Sequence, residues 1–217
     1  MKILRNIFAC LAAACLLLCS CEEADNVKDL GYALVYIPQA TSTGLDNSYN
    51  IPQGPLDQNT YYVCRYNKDS GDLEIALGVT RSGYLHEQKA FTVDLGVCEA
   101  QTQSKLDEYA EKGTPATAIP TDICTIPSKI SVEAGKNTGT CYVGVNLKKL
   151  AMQQASLYVD DTYKLLVLGL EISNPTEYEL AEKNTSVVII LNLNHSAWDS
   201  VSSSAAEAAV RTLFPLI

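Results

Sequence analysis

The sequence predicts an all-β fold, a β-sandwich finished by a short C-terminal helix. Three observations lead there. About eight segments dense in β-branched and aromatic residues follow one another at short intervals, each closed by a polar turn. None of them alternates with a long amphipathic helix, which argues against a doubly wound sheet or an α/β barrel. The clearest helical stretch, Ala205–Leu213, comes only after the last strand.

The N-terminus is read apart from the fold. Lys2 and Arg5 precede an apolar run from Ile7 to Leu18. That run is shorter than the roughly 20 residues that cross a bilayer as a helix, and its flanks fit an export signal. Leu17-Leu18-Cys19-Ser20-Cys21 resembles a lipobox, so residues 1–20 are expected to be a removable leader and Cys21 the site of lipid attachment. Cleavage before Cys19 is the rival, but Leu18 is not the small residue preferred directly before the cut. Glu22-Glu23-Ala24-Asp25 then resembles the acidic signal of Bacteroides lipoproteins sent to the outer face of the outer membrane; a periplasm-facing anchor is the alternative. Several acyl chains give stable anchoring, because each buried methylene adds about 0.8 kcal/mol. The expected layout is a leader over 1–20, a lipidated Cys21 with an acidic tether over 21–31, the sandwich over 32–193 and a helical tail over 194–217.

Tyr32 to Ile37 opens the strand series and Pro38 stops it, since proline cannot donate to a central ladder. Residues 39–58 are irregular, with a short strand around Ser48–Ile51. Thr60 to Tyr66 and Leu73 to Val79 are expected to pair as a hairpin across the polar turn 67–72. Residues 89–97 alternate, with Phe91, Val93, Leu95 and Val97 on one face. A short surface helix over 102–110 and a Thr/Pro/Ala connection over 113–120 interrupt the pattern. Strands resume at 129–132 and 140–145, and residues 147–153 form a helical turn. Tyr163–Ile172 is long, apolar and nearly unbroken, so it is expected to be central, and Asn174-Pro175 ends it. Thr185–Leu193 is the last strand. Ser202-Ser203-Ser204 can cap the tail helix, which Pro215 halts.

Composition excludes several partners. Sixteen Lys and Arg stand against 25 Asp and Glu, a net charge of −9, and loss of Lys2 and Arg5 with the leader makes it more negative. Such a chain has no basic stripe for nucleic acid. Of eight cysteines, Cys10, Cys15 and Cys19 leave with the leader and Cys21 carries lipid. Cys64, Cys98, Cys124 and Cys141 remain. They form no CxxC pair, so no metal and no cofactor is expected. Two disulfides are chemically allowed outside the cytoplasm, with three possible pairings, and burial as small hydrophobes is the alternative.

No catalytic apparatus is visible. Asp160-Asp161 lies in a predicted loop, Gly-x-Ser-x-Gly and Gly-rich phosphate loops are absent, and His86 and His195 sit in ordinary polar contexts. The segment 67–72 lacks the glutamate of a calcium loop and reads as a turn. The expectation is a protein that is not an enzyme. Twelve tyrosines against three phenylalanines and one tryptophan offer apolar bodies with polar tips, and Tyr61, Tyr66, Tyr84 and Trp198 are the candidate ligand-binding residues, each weighed against ordinary packing. Tyr49 is a further candidate for exposure.

Tyr36-Ile37-Pro38-Gln39-Ala40, Tyr109 with Ile119-Pro120, and Cys124-Thr125-Ile126-Pro127 leading to Ile130-Ser131-Val132-Glu133-Ala134-Gly135 resemble the DUF1735 family, found at the N-terminus of many Bacteroides surface lipoproteins. Tyr163 to Ser173 is similar to the family's late strand, with Leu166 where a proline is usual. The resemblance covers Tyr32 to Leu193. It implies an immunoglobulin-like β-sandwich and a place beside glycan-active or lectin-like domains in glycan utilisation, and it carries no catalytic residue. The expected function is therefore a non-catalytic surface module that binds or helps handle glycan, with the membrane as partner through its lipid. The alternative is a structural or protein-binding component of a surface complex, or an adhesin-like protein. Replacing Cys21 by Ala is expected to abolish incorporation of labelled palmitate and to release the chain from the membrane fraction. Unchanged labelling would place the lipid on another cysteine.

Overall fold

The computed structural model describes residues 33–41, 46–52, 63–83, 87–194 and 205–214. The leader, Cys21 and the tether lie outside the described residues, as do Tyr61, Tyr84, His86, His195 and Trp198.

Two six-stranded sheets enclose one core. The first contains β1 (Leu34–Tyr36), β3 (Cys64–Asn67), β4 (Asp72–Arg81), β7 (Cys124–Thr125), β9 (Thr138–Asn146) and β13 (Glu179–Leu180), in the order β13-β1-β4-β9-β7 with β3 also on β4. The second contains β2 (Ser48–Ile51), β5 (Phe91–Val97), β6 (Ala116–Ala118), β8 (Lys129–Val132), β12 (Leu165–Ser173) and β14 (Ser186–Leu191), in the order β2-β14-β12-β5-β8 with β6 also on β12. A separate hairpin joins β10 (Tyr158–Val159) to β11 (Thr162–Tyr163). The inner faces follow the period of two: Leu73, Ile75, Leu77 and Val79 of β4 meet Leu166, Leu168, Leu170 and Ile172 of β12 in one buried cluster.

The all-β expectation needs correction in two respects. Helices do more than finish the chain: α1 (Glu99–Glu111) lies on the outer face of the second sheet, where Val167, Val188 and Ile190 form a second buried cluster against Leu106 and Tyr109. The sheets are also mixed. Parallel pairs join β1 to β13, β2 to β14 and β6 to β12, unlike the antiparallel sheets of an immunoglobulin domain. Burial on both faces from Leu166 to Leu170 explains the nearly unbroken apolarity of the 163–172 run, a pattern expected of a strand covered on two sides.

Gly169 allows this layer to close. A Cβ there would stand 2.5 Å from the Cys98 carbonyl oxygen and 2.9 Å from the Thr102 nitrogen at the start of α1. Gly169 N–H donates to Thr102 Oγ1 at 2.8 Å, and Cys98 N–H donates to the Gly169 carbonyl at 2.9 Å. Lys105, nearly buried on α1, donates to Asp46 Oδ2 at 3.0 Å and Glu108 Oε2 at 2.7 Å. Burial alone would lower its pKa, but these carboxylates outweigh it and hold the ammonium above its usual range.

Other departures are local. The helix over 102–110 runs longer, and β6 emerges within the 113–120 connection, where parallel pairing to β12 supplies partners. The run from Tyr163 breaks at Lys164 between β11 and β12. Gly169→Ala is expected to lower stability by about 1–3 kcal/mol, because backbone rather than a flexible tip meets the new methyl. Gly96→Ala, with nothing within 4 Å of the new atom, is expected to stay within about 0.5 kcal/mol. Denaturant titration of both variants checks this.

Candidate functional site

An open groove of about 660 Å³ lies where the end of β3, a short helix and the C-terminal helix meet. Its lining includes Tyr66, Lys68, Lys148, Arg211 and the alanines 205, 208 and 209. Each wall has a local cause.

The first wall is the β3–β4 hairpin expected from the sequence, with Tyr66 opposite Leu73. Asn67 closes its turn: the Asn67 Oδ1 accepts from Asp69 N–H at 3.1 Å, and the Asn67 carbonyl accepts from Gly71 N–H at 2.8 Å. Gly71 takes φ +79, a conformation that favours glycine. Tyr66 shares its face with buried Cys64, so its ring packs partly on the core and is partly exposed.

Asn146 sets the second wall. Its Oδ1 accepts from Lys149 N–H at 3.0 Å and caps α2 (Leu147–Ala151). Its Nδ2 donates to the Ser70 carbonyl and to Asp72 Oδ1, each at 2.8 Å. One side chain thus ties the helix to the turn. The Lys148 stem consequently lies over Gly71, 3.4 Å from the position a Cβ would take.

The third wall is α4 (Ala205–Leu213), which follows a further short helix α3 (Gln154–Leu157) in the chain. Ala206, Val210 and Phe214 are buried, at the spacing of one helical stripe. Phe214 meets Tyr163 edge-on at 5.7 Å, and Tyr163 meets Tyr158 at 5.0 Å. Asn194 clamps Tyr163, accepting from its N–H at 2.7 Å and donating to its carbonyl at 2.6 Å. With the large residues turned inward, small Ala205 and Ala208 face the groove.

Of the candidate residues chosen from sequence, the structure places Tyr66 in this groove. Tyr49 is a correction: it is buried, its hydroxyl donates to the Ala76 carbonyl at 3.0 Å, and burial raises its pKa. Lys68, Lys148 and Arg211 were missed. The basic ends of two short helical segments were visible in sequence, but nothing there showed that they converge. Tyr142 was also missed; it stands on the outer face of the first sheet with the Arg65 guanidinium 3.8 Å above its ring.

The possible disulfides are corrected too. Cys64, Cys98, Cys124 and Cys141 are free thiols. Cys64 faces Ile75 and Cys141 faces Leu77 from opposite sides of β4. Two strand spacings separate them by about 10 Å, beyond the Cα distance of about 7 Å that a disulfide spans. Cys124 pairs with Val145, four positions along β9 from Cys141, and Cys98 begins α1 on the other sheet. Burial pushes the Cys124 thiol up to about 11, with Asp122 and Asp72 adding to it, and burial likewise pushes Cys141 up to about 11.

The Asp160-Asp161 pair forms the tip of the β10–β11 hairpin, with φ of 48 and 61. This is the left-handed geometry of a two-residue hairpin turn. Among the described residues, no group of three or more His, Cys, Asp or Glu is placed to hold a metal. No described helix is long and apolar enough to cross a membrane.

A two-sheet domain with an open groove beside its C-terminal helix defines a β-rich module. A family model described as an N-terminal domain matches residues 35–192, and the chain belongs to that family. No curated protein matches the chain significantly. Solved structures resemble it at low identity. A protein of unknown function from Bacteroides ovatus is 16% identical, with a TM-score of 0.48, covering 74% of this chain and 46% of that one. A multidomain protein including DUF1735 from the same species is 15% identical, TM-score 0.44, covering 74% and 45%. An auxiliary nutrient binding protein from Bacteroides thetaiotaomicron is 16% identical, TM-score 0.44, covering 67% and 44%. The chain therefore spans less than half the length of each.

Thiol titration without reductant is expected to count four thiols in unfolded residues 22–217. In the folded protein Cys124 and Cys141 are expected to react slowly near pH 8, because burial pushes both thiols well above the usual pKa of about 8.5. A count of zero on unfolding would mean two disulfides.

Proposed function

We propose that this chain is a non-catalytic surface module, anchored by lipid on Cys21 and facing the cell exterior, that binds glycan along the groove beside α4. The observation that carries the reading is the groove itself: a part-exposed tyrosine ring beside small alanines and flexible cationic tips. Sugar rings present apolar C–H faces edged by hydroxyls, and an aromatic ring with a polar tip suits both. A volume of about 660 Å³ is within the range of small-ligand sites, and an open trough accommodates a chain that continues past it. Tyr61, Tyr84 and Trp198 are proposed as further contacts only insofar as binding tests demand them. One solved relative is named for nutrient binding; the role proposed here rests on the groove.

The test is a panel of dietary, host and microbial polysaccharides against the full chain purified in detergent. Saturable binding to one class is expected, weakened about tenfold or more by Tyr66→Ala and retained by Tyr66→Phe, since stacking needs the ring and not the hydroxyl. Binding unaffected by Tyr66→Ala would move the site elsewhere. No binding across a panel that a control lectin reads correctly would sink the glycan reading.

A further inference from the structure

We infer that the groove selects anionic glycans, polymers carrying carboxylate or sulfate groups, and that Lys68, Lys148 and Arg211 are its selectivity residues. This rests on the glycan reading above. Those three side chains line the groove, and no carboxylate stands among its described lining residues. That is contrary to composition, because the chain carries 25 acidic against 16 basic residues.

The same cation types elsewhere are often neutralised. Arg65 pairs with Glu74, Lys105 with Asp46 and Glu108, Lys112 with Glu108, Lys89 with Glu177 and Lys129 with Asp94. None of the ion pairs among the described side chains involves Lys68, Lys148 or Arg211. Arg211 lies in the last turn of its helix, where a cation is favoured by the helix dipole. That accounts for one sign but not for the convergence with Lys68 and Lys148, which requires the Asn146 tie and the packing of α4.

The arrangement also suits the chemistry. Arg211 offers a planar fork that matches a carboxylate or sulfate, while Lys68 and Lys148 are mobile point charges able to follow a repeating anion. Tyr66 in the same groove supplies the ring for the sugar face.

The experiment measures binding of the full chain in detergent to polygalacturonate and chondroitin sulfate, with dextran as the neutral polymer and polyglutamate as the non-sugar polyanion. The two acidic glycans separate carboxylate-only from sulfate-bearing ligands. At least one is expected to bind more tightly than dextran and polyglutamate, with affinity falling several-fold as salt is raised from about 20 to about 300 mM. The triple variant Lys68→Gln/Lys148→Gln/Arg211→Gln is expected to lose about tenfold, from roughly two- to fivefold per exposed charge, with an unchanged melting temperature. Equal binding of dextran, or a triple variant with unchanged affinity, overturns anionic selectivity and leaves the glycan reading standing. Polyglutamate binding as tightly as either acidic glycan overturns it in favour of a general polyanion surface. Failure of every polymer, neutral ones included, overturns the glycan reading itself.

Discussion

Strand β12 is buried on both faces from Leu166 to Leu170, and its polar residues begin only at Glu171. Leu166, Leu168, Leu170 and Ile172 point into the sandwich, while Val167 on the opposite side is fully buried as well. A strand of this kind must be covered twice. The first sheet covers it from within, and α1 covers it from outside by resting on Gly169, where the absent side chain lets the helix backbone reach the strand. The remaining elements arrange themselves around that requirement: β14 and β5 flank β12, β6 extends its edge in parallel, and Lys105 with its two carboxylates secures α1 to the segment before β2.

The first sheet is organised around β4, and the two ends of that strand handle buried polarity differently. Asp72 at the groove end is buried without a cation, but Asn146 and Thr125 donate to its two oxygens. Neutral donors in a fixed frame can satisfy a carboxylate where a long, flexible cation would cost ordering entropy. Arg81 at the far end is 2% exposed; its Nη2 donates to Asn137 Oδ1 and its guanidinium lies 5.2 Å from the centre of the Tyr178 ring. Its Nε and Nη1 have no hydrogen-bond partner among the described residues. Such a group costs stability, which the apolar contacts of the core offset. Between these ends, Gln39 fills the gap left by β1 and β3, its Oε1 accepting from Gly78 N–H at 3.1 Å.

The groove is a consequence of these restraints. Asn146 is needed to satisfy Asp72 and to cap α2, and in doing both it brings Lys148 onto the β3–β4 turn beside Lys68. The C-terminal helix turns Val210 and Phe214 inward and leaves Ala205 and Ala208 at the trough. A binding surface thus arises from residues whose first task is structural, and the charges on it project from a rigid frame.

The sequence by itself determined the strands whose period of two or doubled apolarity is strong: the β3–β4 hairpin, the face of Phe91, Val93 and Leu95, the central β12 and the terminal helix all lie where their patterns put them. Those signals are local, since each depends on residues within one element. Only the tertiary structure decided the short strands β7 and β13, because these two-residue strands exist by virtue of partners distant in sequence. It also decided the parallel edges and the free state of the cysteines, which follows from register across β4 and β9 rather than from spacing in the chain. Tyr66 was legible as a candidate because an aromatic on a short hairpin strand has one side near the surface. Lys68, Lys148 and Arg211 were not, since they are ordinary basic residues on separate elements, and only the folding of a turn, a capped helix and a tail helix onto one corner makes them a group.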